Sequence, residues 1–141
     1  MGYRRAYAKN SQNTHCCYCK RKMLPTSDMQ SPEVEIRGQV KSVEHIRPRS
    51  QGGTNEPENL NLACQRCNSL RGHLHIDIFI MFAQVILQKY PDAPNVYLRG
   101  ALQQFITSLA EIAIRNKRET RRAISLALLK LDDDLKRNHL D

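Results

Sequence analysis

The sequence has no tryptophan and only eight aromatic residues (five Tyr, three Phe) among 141. A surface that stacks unpaired bases on exposed rings is therefore not expected, because single-strand binders rely on such platforms. Long apolar runs are also missing. The longest, Ile78 to Ala83, falls far short of the roughly 20 residues that span a bilayer, so no membrane partner is expected. The opening residues Met1 to Arg5 lead into polar sequence without the apolar stretch of a secretory leader, and a cytoplasmic location is the expectation. Cysteines number five, an odd count that no complete disulfide framework would use. Internal repeats and low-complexity tracts are absent, which sets aside solenoids and disordered tails.

What is present in excess is positive charge. Lys and Arg total 22 against 14 Asp and Glu, for a net charge of +8, and this favours a polyanionic partner, nucleic acid foremost. The excess is uneven: residues 1–75 hold 12 basic and 6 acidic side chains, residues 76–141 hold 10 and 8. All five cysteines and five of the six glycines also precede residue 76. The chain is expected to fold as α+β, with a loop-rich unit over 1–75 and a helical extension of about three helices over 76–141.

In the first half, Val34 and Ile36 alternate with charged residues, Gly38-Gln39 suits a tight turn, and Val40 to Ile46 is rich in β-branched residues, a pattern that predicts a hairpin. Gln51 to Pro57 is a loop, Leu60 to Ala63 a short strand, and Cys64 onward a short helix ending at Gly72. In the second half, Asp77 is placed to cap a buried helix reaching about Tyr90. Leu98, Leu102, Phe105, Leu109 and Ile112 predict a second helix, and Ile124, Leu128, Leu131 and Leu135 a third. Asn116 and Glu119 have the spacing of a capping box for that last helix. These helices either form a private core or pair with a second copy as a homodimer.

Two Cys-x-x-Cys pairs, Cys16/Cys19 and Cys64/Cys67, have the knuckle spacing with which two loops grip one tetrahedral zinc ion. Cys17 is left over. The 44 residues between the pairs exceed the roughly 15–20 of ordinary zinc ribbons, so the clamp encloses something. Within it lie Glu44-His45, Arg47-Pro48-Arg49, Gly52-Gly53 and Asn59; Asn68 and Arg71-Gly72 follow the second knuckle at once.

Glu44-His45, Asn59 and Asn68, framed by the two knuckles and followed by Arg71-Gly72, resemble the HNH endonuclease family in its four-cysteine, zinc-bound form. The resemblance covers about residues 16–73. It implies a ββα-metal unit: a strand ending in the His, a loop carrying the middle Asn, a second strand, and a helix bearing a further ligand. It also implies a metal-dependent endonuclease that hydrolyses DNA phosphodiesters, leaving 5′-phosphate and 3′-hydroxyl ends.

His45 would be the general base, since a neutral imidazole can take a proton from water. Glu44 and Asn68 would hold a catalytic Mg²⁺ or Mn²⁺ through oxygen atoms. Asn59 would brace the loop that fixes the His. Arg47, Arg49 and Arg71 would hold phosphates beside the cut. The family more often has Asp where Glu44 stands and His where Asn68 stands. The alternative reading is a non-catalytic, zinc-stabilised DNA-binding or adaptor protein.

Overall fold

A computed structural model describes residues 14–110 and 117–137. The chain divides into two compact units, Met1–Ile76 and Asp77–Asp141, and together they have an α+β composition. Among the described residues, no helix is long and apolar enough to cross a membrane.

The first unit opens with a turn from Cys16 to Lys20, closed by an antiparallel bridge between His15 and Lys22. A 3-10 turn, Thr26–Gln30, leads to the short helix α1, Val34–Gly38. Strand β1, Lys41–His45, and strand β2, Leu60–Cys64, form an antiparallel pair in which Lys41 faces Cys64, Val43 faces Leu62 and His45 faces Leu60. Helix α2, Gln65–Arg71, leaves β2 directly and ends at Gly72, whose φ of 54° suits a residue without Cβ. The unit's apolar core is small: Tyr18, Met23, Val40, Leu60, Leu62, Ala63 and Leu70.

One expectation is corrected here. Val34 to Gly38 is not the first arm of a hairpin but helix α1. The alternation that suggested a strand has no buried face to satisfy, since Val34 is 61% exposed. The partner of β1 is instead β2, brought to it from fifteen residues further along by the chain closure between the two knuckles. Long-range pairing that buries Leu60 and Leu62 outweighs a local turn signal.

Helix α3, Ile76–Phe82, starts at the last residue of the first unit, opens the second, and continues as one turn of π-helix over Ala83–Leu87. The helix starts one residue before Asp77, so Asp77 sits in its first turn, where a carboxylate complements the helix dipole, and not at the cap position. Helix α4, Asn95–Ala110, and helix α5, Lys117–Arg137, pack together, and α5 also meets the π-helical turn. Phe79, Phe82, Ile86, Leu87, Leu98, Phe105 and Leu128 are fully buried. The Phe82 ring lies 6.0 Å from Phe79 and 5.9 Å from Phe105. Of the positions read from periodicity, Leu98, Leu102, Phe105, Ile124, Leu128, Leu131 and Leu135 point inward, whereas Leu109 is half-buried. Ile112 and the Asn116 cap lie outside the described residues.

Candidate metal centre and nuclease site

Each knuckle uses a different local device to present its thiols. In the first, the amide of Lys20 bonds back to the Cys16 carbonyl, and the chain escapes through Lys20 at a φ of 67°. The amide of Tyr18 also donates to Cys16 Sγ at 3.4 Å. In the second, Cys64 ends β2 and Cys67 lies in the first turn of α2. All four thiols are buried, and their sulfur atoms lie within 4.8 Å of one another.

The dimensions fit zinc. A Zn–S bond of about 2.3 Å gives a tetrahedron with edges of about 3.8 Å, and Cys19 Sγ lies 3.9 Å from Cys64 Sγ. The sulfurs also need a cation electrostatically. Hydrogen bonds from Cys17, Cys19, Cys64 and Cys67 hold the Cys16 thiol below its ordinary range, whereas bonds to Cys16 and Cys19, and then burial, push Cys64 and Cys67 up. Four buried sulfurs can become thiolates together only around a divalent ion. Among the described residues this quartet is the one cluster of three or more His, Cys, Asp or Glu side chains able to hold a metal.

His45 ends β1, and its Nε2 lies 2.8 Å from Asn55 Oδ1 in the loop that follows. Asn59 closes that loop. Its Oδ1 accepts from the Arg47 amide at 2.9 Å, while its Nδ2 donates to the carbonyls of Arg47 at 3.1 Å and Thr54 at 2.8 Å. Its own carbonyl accepts from the Ile46 amide. Inside the loop, Gly53 packs so tightly that a Cβ would lie 1.7 Å from the Arg47 carbonyl oxygen. Glycine is required there by close approach of backbone to backbone. Arg47 and Arg49 are exposed on this loop.

Glu44 and His45 are consecutive on a strand and so point to opposite faces of the pair. Ser42 and Glu44 share the face covered by α2. From that helix Asn68 Nδ2 donates to Ser42 Oγ at 3.1 Å and to the Val43 carbonyl at 3.0 Å. Glu44 is 3% exposed. Its Oε1 accepts from Arg71 Nη1 at 2.7 Å, and its Oε2 is buried without a hydrogen-bond partner. Burial pushes the Glu44 carboxyl up to about 7, against the opposing pull of Arg71. Burial likewise raises the Tyr18 phenol.

Arg71 departs from expectation. It is not a surface contact for phosphate: its side chain is fully buried, and its donors go to Tyr18, Glu44, and the carbonyls of His45, Ile46 and Leu74. A guanidinium so enclosed has no face left for a nucleic acid. Reading the sequence also missed Asn55, Ser42 and Tyr18. No spacing rule marks them, because each acts through contacts created by the fold.

A model of the HNH endonuclease family matches residues 16–74. No curated protein and no solved structure matches the chain. The match begins at the first zinc-knuckle cysteine and ends just beyond α2, so it takes in both knuckles, the strand pair and the braced loop between them. Residues 16–74 are thus similar to the HNH endonuclease family, with a tetracysteine site suited to structural zinc.

Proposed function

We propose that the first unit hydrolyses DNA phosphodiester bonds with His45 as general base. The observation that supports this reading most directly is the setting of that imidazole: it stands at the end of β1, with Nε2 against Asn55 Oδ1, beside a loop tied shut by Asn59. With the Asn55 amide oxygen as acceptor, the neutral imidazole carries its proton on Nε2. Nδ1 is then the atom that takes a proton from the attacking water. As the new P–O bond forms, the bond to the 3′-oxygen breaks, and the leaving oxygen gains a proton to become the 3′-hydroxyl, with the phosphate remaining on the 5′ side.

Glu44 and Asn68 fit a hard divalent cation by donor chemistry. Asn68 commits its amide nitrogen to β1, which leaves its oxygen as a donor. Glu44 has an unpartnered carboxylate oxygen on the same sheet face. These two residues would hold a Mg²⁺ or Mn²⁺ ion, which would supply neutralisation of charge on the phosphate oxygens. Arg71 already offsets part of the Glu44 charge, so these two protein donors alone would make a weak site. Arg47 and Arg49 hold the phosphates on either side of the cut. Asn59 keeps the loop closed and does no chemistry.

The helical unit, residues 77–141, is the candidate for pairing two copies. One such site cuts one strand, and a dimer places two sites on one duplex.

The test is nicking of supercoiled plasmid by purified protein with Mg²⁺ or Mn²⁺, with EDTA and H45A as controls. Metal-dependent nicking lost in H45A is expected. Binding without nicking under either metal would favour the non-catalytic DNA-binding reading. Light scattering across a concentration series reads the oligomeric state.

A further inference from the structure

We propose that Arg71 is a positioning residue of the nuclease site: its buried guanidinium holds the strand end that carries His45 in register with the first zinc knuckle, and it never touches the substrate. The inference rests on the nuclease reading for its functional consequence and on geometry for its structural one.

The contacts converge on a single point. Arg71 Nη1 donates to Glu44 Oε1 at 2.7 Å and the His45 carbonyl at 2.6 Å, with Tyr18 Oη at 3.2 Å, while Nη2 donates to the Ile46 carbonyl. Nε donates to the Leu74 carbonyl at 2.8 Å. These five acceptors come from three parts of the unit. Tyr18 lies between the ligands Cys16 and Cys19, Glu44 to Ile46 are the end of β1 and the residue beyond it, and Leu74 follows the end of α2.

Register between β1 and β2 stops at His45 and Leu60. Beyond that pair one further bond crosses between the strands' ends, from the Ile46 amide to the Asn59 carbonyl, and the His45 and Ile46 carbonyls are left to other partners. Arg71 supplies those partners. The planar fork matters here, because an ammonium at the same position has neither the spread nor the number of donors to reach carboxylate and two successive carbonyls together. The fork thereby links zinc occupancy to the placement of the base. Tyr18 moves with the first knuckle, Arg71 with the helix that starts at the second, and both meet at the backbone of His45.

The experiment uses the full, zinc-loaded chain and the variants R71K and R71M. Four readouts are taken: zinc stoichiometry, kcat and KM for plasmid nicking, the salt dependence of DNA binding, and the imidazole NMR signals of His45. Expected for both variants are retained zinc, unchanged KM and salt slope, a displaced or doubled His45 signal, and kcat lower by ~100-fold, the scale associated with misplacing a catalytic group by about 1 Å. Failure of R71K to rescue R71M shows that charge alone does not suffice. Should R71M lose zinc, R71K carries the test.

A raised KM with a shallower salt slope would overturn the proposal in favour of a phosphate contact. An unmoved His45 signal with unchanged kcat would overturn it outright. If the wild-type protein nicks under neither metal, the nuclease reading fails separately, and the His45 signal still decides whether Arg71 holds that strand end.

Discussion

The two units bury different things. The first encloses four thiols, a carboxylate and two guanidiniums within a thin apolar shell, while the second encloses three phenylalanines and a set of leucines and isoleucines. Hydrophobic burial alone can hold the second together, because its helices each present an apolar stripe to the others. It cannot hold the first, in which the two-stranded sheet and the seven-residue helix α2 are too small for independent stability without a staple. Polar groups that are costly to bury are concentrated in the first unit, where the HNH family model matches, although the second also buries Asp132.

Metal removal is the strongest way to break this comparison. Stripping zinc with a chelator is expected to unfold the first unit, with a loss on the order of 10 kcal/mol of binding free energy, while the helical signal of the second unit persists in circular dichroism. A single cooperative loss of all structure would mean that the units do not differ in the way described.

The reciprocal perturbation is F82A. Phe82 is fully buried between Phe79 and Phe105, and its truncation is expected to cost about 3–5 kcal/mol. Denaturant unfolding should show the loss, with zinc stoichiometry unchanged.

A smaller effect sharpens the picture of the second unit, whose core is not wholly apolar. Asp132 accepts from Tyr90 Oη and from Lys89 Nζ at 2.7 Å. Burial works against its ionisation, yet these hydrogen bonds hold its carboxyl below the usual range. A carboxyl whose folded pKa is depressed stabilises above its unfolded pKa, and that contribution disappears as pH falls through the folded value. D132N is therefore expected to cost about 1–2 kcal/mol at neutral pH, and thermal melts of variant and parent should converge below pH ~4. A gap that stays constant with pH would assign the loss to packing.

The smallest effect on stability belongs to the loop arginines. R49A removes an exposed side chain and is expected to change stability by less than about 0.5 kcal/mol. It should nevertheless weaken DNA binding and make its salt dependence shallower by about one charge. An unchanged slope would place the DNA path elsewhere.

The features legible in the sequence were those carried by local spacing. Cys16/Cys19 and Cys64/Cys67 declare themselves because two ligands three residues apart suit one ion, whatever the rest of the chain does. The inward positions of α4 and α5 followed from repeats of three and four. Val34–Gly38 was misread because five residues of alternating character fit either a strand or one turn of helix, and only the distant pairing of β1 with β2 decides between them. Arg71 was misread for a related reason. Arginines in a basic segment look alike in sequence, and what distinguishes this one is three chain segments converging on it. Asn55 gave no signal, because an asparagine in a polar loop is unremarkable until a histidine ring is placed beside it.

Cys67 and Asn68 are neighbours on one helical turn, so the ion's grip and the amide facing β1 cannot be adjusted independently. Oxidants that couple the thiols, or depletion of the ion in a starved cell, would loosen the clamp without touching Glu44, His45 or Asn59. Competence of such a chain is thereby tied to the redox state and mineral supply of its surroundings.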